Sequence, residues 1–323
     1  MVQFFDNTKV STHIKCERKF FFRHELHWAS EESPYKADWG SCWHSAMDVL
    51  WPEMCGKVSN GRDLRLALTR RATDGFMEKW GELGYSVAPE VYEALSPHTP
   101  TTATEMLWEY IEARAPILET HELLAVEVPF AVPLWPDRDD IWYCGRLDKV
   151  TKHRGKVIVW DHKSTGQYKK NGYFRASFTE NFSPDRQIDG YSYAARILYP
   201  DANPDELWID AALVHKTVHE GFGIIPVKRH IDQLDSWLWA TRQEVQRILD
   251  NEAIMDLTTK DQPFMPAFRQ NTANCFDFGS PCQYLDQCKM WSNPIGRVVP
   301  PGMKVEEWSP FDVLQLDRLG MVK

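Results

Sequence analysis

Three runs of β-branched and aromatic residues follow one another between residues 122 and 163: ELLAVEVPFAV, IWYCGRLDKV and KVIVWDHK. The turn-prone PDRDD and KHRGK break them apart, so they predict three successive strands. SPDRQIDGYSYAARILYP then predicts a helix that starts at Ser183-Pro184-Asp185 and stops at Tyr199-Pro200. ELWIDAALVHK and GFGIIPVKRH read as two more strands, joined at His219-Glu220-Gly221. Strand, strand, strand, helix, strand, strand calls for an α/β or α+β core with helices on its faces.

The flanking segments are helical. In 11–27, Ser11 or Thr12 is the expected N-cap, and Ile14, Phe20, Phe21 and Phe22 recur at helical spacing. In 40–55, Trp43, Met47, Leu50 and Trp51 form one apolar face. Residues 61–80 and 101–119 also read as helices, joined by a Pro-containing linker at Ser96-Pro97-His98-Thr99-Pro100. Residues 231–249 form an amphipathic helix, and a loop-rich stretch follows. With 43% hydrophobic and 26% charged residues over 323 positions, the composition is that of a globular protein and excludes wholesale disorder. No run approaches the roughly 18 apolar residues of a membrane span. The N-terminus lacks the charged, apolar and small-residue regions of a signal peptide, so a cytoplasmic protein without membrane contact is expected. Seven cysteines in such a chain argue against a disulfide framework.

The net charge of −9 hides an asymmetry. Arg146, Lys149, Lys152, Arg154, Lys156, Lys163, Lys169, Lys170 and Arg175 face only Asp148 and Asp161 within one window, a local +7. A solvated face is the plain reading of such a window. The two acids make it more specific. Asp148 ends one strand, and Asp161-His162-Lys163 ends the next; side chains two apart in a strand share a side, so Asp161 and Lys163 project together. If the strands pair across KHRGK, Asp148 lies beside Asp161. Two such carboxylates repel unless a cation separates them, and a hard divalent ion, Mg²⁺ or Mn²⁺, meets that need with oxygen ligands. A neighbouring lysine can orient a water and offset charge on a phosphate.

GRLDKV followed by VIVWDHKST resembles the core of the PD-(D/E)XK nuclease superfamily, in particular the RecB-like and Cas4-like exonucleases. Gly40-Ser41-Cys42-Trp43-His44 resembles the family's G-x-x-x-H motif, and Gln187-Ile188-Asp189-Gly190-Tyr191 its Q-x-x-x-Y motif. The resemblance implies an α/β fold with a central mixed sheet flanked by helices. It implies metal ligation by His44, Asp148, Asp161 and the main-chain carbonyl of His162, with Lys163 positioning the water. Gln187 and Tyr191 share a helical face and would steady the lysine or contact DNA. Taken singly, a lone histidine is more often structural, and a Gln/Tyr pair more often packing. Asp161 stands where many relatives carry Glu.

Cys275, Cys282 and Cys288 lie in the C-terminal loop region and Cys16 near the other end, whereas Cys42, Cys55 and Cys144 read as buried thiols or bystanders. Four thiolates suit a 4Fe–4S cluster or a Cys₄ zinc site; spacing does not exclude zinc, although close C-x-x-C pairs are absent. One N-terminal and three C-terminal cysteines resemble the iron–sulfur staple of Cas4-like and AddB-like nucleases, with CERKFFF and SPCQYLDQC as the matching segments. The resemblance therefore implies a structural 4Fe–4S cluster that ties the chain ends together.

The resulting expectation is one nuclease domain over 1–323. Residues 1–60 carry the first cysteine and the G-x-x-x-H motif, 61–120 a helical lobe, 121–250 the catalytic core, 251–295 the cluster region and 296–323 a tail. The activity implied is metal-dependent exonucleolytic hydrolysis of DNA, preferably at single-stranded ends, in recombination, repair or DNA processing. The alternative is a non-catalytic DNA-end-binding subunit of a recombination or CRISPR-adaptation complex. No G-x-x-x-x-G-K-[ST] phosphate loop is present, so unwinding would fall to a partner helicase. Tyr168, Tyr173 and Phe174 are candidates for stacking on bases of a threaded strand.

Overall fold

The computed structural model describes residues 2–32, 34–55, 61–168, 173–202, 204–277 and 280–315. In chain order its elements begin with β1 (Gln3–Phe5), α1 (Asn7–Lys15), α2 (Glu17–Phe20) and β2 (Trp28–Ser30). Four helices follow: α3 (Tyr35–Met54), α4 (Arg62–Glu82), α5 (Pro89–Leu95) and α6 (Pro100–Leu118). The centre holds β3 (Glu122–Pro133), β4 (Ile141–His153), β5 (Lys156–Thr165), α7 (Ala176–Thr179), α8 (Arg186–Leu198), β6 (Glu206–Leu213) and β7 (Phe222–Lys228). The chain ends with α9 (Ile231–Asp256), β8 (Phe276–Asp277), β9 (Ser280–Pro281), α10 (Leu285–Met290), β10 (Met303–Val305) and α11 (Pro310–Leu314). The main sheet is mixed, with strand order β1-β4-β5-β6-β7 and β3 also paired to β4. The α/β core and its mixed sheet are thus as expected. Among the described residues no helix is long and apolar enough to cross a membrane.

The chain falls into two compact units. One comprises Met1–Ser33, Pro129–Gly145 and Asp235–Lys323, and the other Pro34–Val128 and Arg146–Leu234. In the second, β4 and β5 form a hairpin whose register runs from Lys149↔Trp160 to His153↔Lys156. Its loop residues Arg154 (φ 48°) and Gly155 (φ 82°) both take positive φ, the two-residue turn whose twist matches that of the strands it joins. The step from β5 to the parallel β6 passes through α7 and α8, as a parallel connection requires. Then β7 returns antiparallel. An aromatic core lies in the same unit, where Trp39 and Trp43 of α3 stack, Trp51 meets Trp160, and Phe76 and Trp80 of α4 close the cluster.

The first unit departs from the expected 11–27 helix. Asp6, ahead of either expected cap, accepts the Lys9 backbone N–H at 2.6 Å and starts α1 at Asn7. Ser11 instead donates to Asn7 Oδ1 within the helix. The helix then breaks at Cys16, whose backbone is extended (φ −165°, ψ 113°), before α2 and a π-helical turn at Phe21–Glu25. In the tail, β10 pairs antiparallel with β2, with Met303 opposite Ser30.

Candidate active site

Asp148 and Asp161 occupy the next cross-strand positions of the β4/β5 hairpin beyond Lys149↔Trp160, and both are buried. Each carboxylate has its own cationic partner. Lys163 Nζ lies 3.0 Å from Asp161 Oδ1 and 2.7 Å from Oδ2. Asp148 Oδ2 accepts the His162 backbone N–H at 2.6 Å and stands 3.4 Å from His44 Nδ1. His44, projecting from the N-terminal half of α3, also places Nε2 3.0 Å from the His162 carbonyl oxygen. Gly40, one turn earlier, sits close to the end of β5: a Cβ there would be 3.6 Å from Ser164 Oγ.

The helix after the crossover completes the arrangement. Asp185 caps α8 by accepting from Ile188 N at 3.0 Å, which puts Gln187 in the first turn. Gln187 Oε1 accepts from Lys163 Nζ at 3.3 Å, while its amide nitrogen donates to Tyr191 Oη at 2.9 Å. Tyr191 thus orients Gln187, and Gln187 holds the lysine. The expected six residues, His44, Asp148, Asp161, Lys163, Gln187 and Tyr191, form one connected set through the His162 peptide.

Their titration follows from this wiring. Burial raises Asp161, the Lys163 charge pulls it back and Asp148 pushes again, leaving it at about 6. Burial would raise Asp148 too, but His44 holds it well below the usual carboxylate range. Burial disfavours the His44 imidazolium, yet the charge and hydrogen bond of Asp148 outweigh this and bring it to about 9. Lys163, likewise penalised by burial, is raised by Asp161 and Asp148.

Among the described residues no three His, Cys, Asp or Glu side chains converge as a ready cage for a metal ion. The donor chemistry nevertheless fits a hard divalent ion held by His44, Asp148, Asp161 and the His162 carbonyl. Asp161 Oδ2 is buried and receives no well-directed hydrogen bond.

Asp48 was missed in the sequence. It sits one turn beyond His44 and is raised to about 8, first by burial and then by Glu127. The i,i+4 spacing from His44 was the available signal. The basic window, in contrast, is not one exposed track. Lys149 is buried on Asp210 at 2.9 Å, Arg146 pairs with Glu127, and Lys163 serves Asp161. Lys152, Arg154, Lys156 and Arg175 are exposed; Lys169 and Lys170 lie outside the described residues. Phe174 is half-buried and stacks on Phe178, whereas Tyr173 and Tyr168 are exposed, Tyr168 meeting His215 edge-on.

In the other unit, Cys16, Cys275, Cys282 and Cys288 line one pocket together with Lys19, Asn271, Asn274 and Tyr284. All four are free thiols. The break after α1 brings Cys16 there: Asn271 and Asn274 both donate to the Lys15 carbonyl, at 2.9 and 2.7 Å, and Asn271 N donates to Cys16 Sγ at 3.4 Å. Cys282 N bonds Cys275 O at 2.8 Å. Burial pushes Cys288 up to about 11 against the opposing Arg18 charge, and the other three thiols push the same way. The four unbridged thiols around this pocket do not converge as a ready cage, yet they are the soft donors that a thiophilic metal centre takes. Cys42 and Cys144 are buried and Cys55 half-buried, and none of the three lines that pocket.

Residues 7–289 match the PD-(D/E)XK nuclease superfamily. No curated protein matches the chain. Among solved structures, a candidate exonuclease from Eubacterium rectale is 14% identical, with a TM-score of 0.48, over 94% of this chain and 91% of its own. The protein SSO0001 is 11% identical, with a TM-score of 0.28, over 62% of this chain and 83% of its own. With the match spanning nearly the whole chain and the acid–acid–lysine set assembled at the β4/β5 hairpin, the protein belongs to the PD-(D/E)XK nuclease superfamily.

Proposed function

We propose that the protein is a divalent-metal-dependent DNA exonuclease of the RecB-like and Cas4-like kind, acting on single-stranded ends in recombination, repair or DNA processing. The observation that carries this reading is the unbroken path His44–Asp148–His162 peptide–Asp161–Lys163–Gln187. A structural ion pair has no need of it. Bound Mg²⁺ or Mn²⁺ would polarise the scissile phosphate and make water a stronger nucleophile. Asp148 and Asp161 would supply the negative charge that holds the ion, and His44 would join them as the neutral imidazole. Lys163, held between Asp161 and Gln187, orients the attacking water and offsets charge building on the phosphoryl oxygens. The water oxygen would bond to phosphorus as the bond to the sugar oxygen breaks, the water giving up a proton to solvent and the departing sugar oxygen taking one from it.

In the other unit, Cys16, Cys275, Cys282 and Cys288 would hold a 4Fe–4S cluster with a structural role, tying the α1–α2 break to the C-terminal loops. The test of the activity is cutting of end-labelled single- and double-stranded DNA with Mg²⁺, Mn²⁺ or EDTA. Mononucleotide or short products from single-stranded ends, abolished by EDTA, are expected. DNA-end binding without any cutting in either metal would favour the non-catalytic subunit reading instead.

A further inference from the structure

The faces of β4 and β5 turned away from the candidate site carry a second polar cluster, in a setting that is otherwise tryptophan and aliphatic. Lys149 is the neighbour of Asp148, and His162 lies between Asp161 and Lys163. Alternation sends both side chains to the side opposite the acids. There they meet Asp210 of β6, which pairs with His162 in the parallel register. Lys149 Nζ is 2.9 Å from Asp210 Oδ2 and 3.4 Å from His162 Nε2. As the lysine ammonium donates to Nε2, the neutral imidazole carries its proton on Nδ1, which lies 3.4 Å from Asp210 Oδ2 without a hydrogen bond to it. From α6, Arg114 grips Asp210 Oδ1 at 2.6 and 3.1 Å, and Tyr110 donates to Oδ2 at 2.5 Å. Trp51 adds a bond to Tyr110 at 2.9 Å and places its ring 3.3 Å from the lysine ammonium. Lys149, His162, Asp210, Arg114 and Tyr110 are all buried.

Such a cluster is a poor way to gain stability. Buried ions lose their hydration, and well-packed apolar replacements are often as stable or more so. What a buried hydrogen-bonded network does supply is one unique alignment. Here the alignment is that of the two strands bearing the candidate catalytic groups. Lys149 bonds both the Asp210 carboxylate and His162 Nε2, so the offset between Asp148 and the Asp161/Lys163 pair cannot slip without breaking charge-assisted bonds. The His162 peptide itself faces the site, its N–H on Asp148 and its carbonyl beside His44.

We propose that Asp210, with Lys149, His162, Arg114 and Tyr110, is a positioning device that holds the His162 peptide and the strand offset for the metal-binding acids. The proposal rests on the nuclease reading above. None of these side chains touches substrate; all act through the β5 backbone.

The test uses the full chain and its His162→Leu, His162→Gln, Tyr110→Phe and Lys163→Ala variants. It measures cutting of labelled single-stranded DNA, half-saturation by Mn²⁺ and melting temperature. His162→Leu removes the acceptor that ties β5 to Lys149 and leaves the three hydrogen-bond partners of Asp210 in place. It should lose about 10- to 100-fold in kcat and in Mn²⁺ half-saturation, as changes behind metal ligands commonly do, with KM for DNA unchanged. Glutamine, whose side-chain carbonyl can accept from Lys149 as Nε2 does, should restore most of this. Tyr110→Phe removes one hydroxyl only and should show a smaller loss of the same kind, which keeps the test alive if the leucine variant does not fold. Wild-type kcat and Mn²⁺ half-saturation per folded molecule in the variants that fold, with only a lower melting temperature, would overturn the proposal. Undiminished cutting by Lys163→Ala would instead overturn the nuclease reading on which it rests.

Discussion

Asp161 and Lys163 sit two positions apart on β5, and that spacing both creates and neutralises the charge of the site. The carboxylate is buried deeply enough to be raised to about 6, and the lysine beside it is what keeps it from rising further. Gln187 is the external control on that lysine, 3.3 Å from Nζ. Gln187→Ala should therefore lower kcat about tenfold with little change in DNA affinity; a change confined to affinity would mean that Gln187 contacts DNA instead. His44 makes a pH prediction of definite sign. Its pKa is raised from 6.5 to about 9 by Asp148, acting against burial. The metal-free protein should hold this contribution to stability fully below about pH 6.5 and lose it as pH rises through about 9. A metal ion needs the neutral imidazole, so Mn²⁺ affinity should climb with pH over the same range, with a proton released on binding. Calorimetry in buffers of different ionisation enthalpy measures that proton, and His44→Gln should reduce its release, with Asp161 and Asp48 supplying the remainder.

Elements were legible where local chemistry was strong. The β4–β5 turn is an example: both loop residues have positive φ, and glycine occupies the more demanding place at Gly155. Gly155→Val should destabilise the protein by roughly 1–2 kcal/mol through left-handed strain, measurable as a lower denaturant midpoint. An unchanged midpoint would mean the turn relaxes freely. The strands, the α8 start at Asp185 and the spacing of Gln187 and Tyr191 were all readable because turn residues, caps and helical periodicity are local signals. The start of α1 was misread because Asp6, earlier in the chain, outcompetes Ser11 and Thr12 as a cap. Lys149 was misread more seriously. Its sequence neighbours suggested an exposed cation, and only the long-range pairing of β5 with β6 reveals Asp210 as its partner. Asp48 escaped for a similar reason, since its raised pKa depends on burial and on Glu127.

On the scale of the whole chain, residues from one sequence end meet those from the other in a single pocket, Cys16 with Cys275, Cys282 and Cys288. Protein prepared without oxygen should be brown, with about four iron and four sulfide per chain. Cys16→Ser should lose the colour and leave residues 262–295 protease-sensitive, while Cys55→Ser should do neither. Stoichiometric zinc without sulfide would replace the cluster with a zinc site and leave the nuclease account intact. That account stands or falls on the β4/β5 acids. Its most direct test is metal-dependent cutting of end-labelled single-stranded DNA by Asp161→Ala, with folding checked by circular dichroism. The Asp161→Ala protein should fold yet cut orders of magnitude more slowly in Mg²⁺ or Mn²⁺. Undiminished cutting by the folded variant would contradict the assignment.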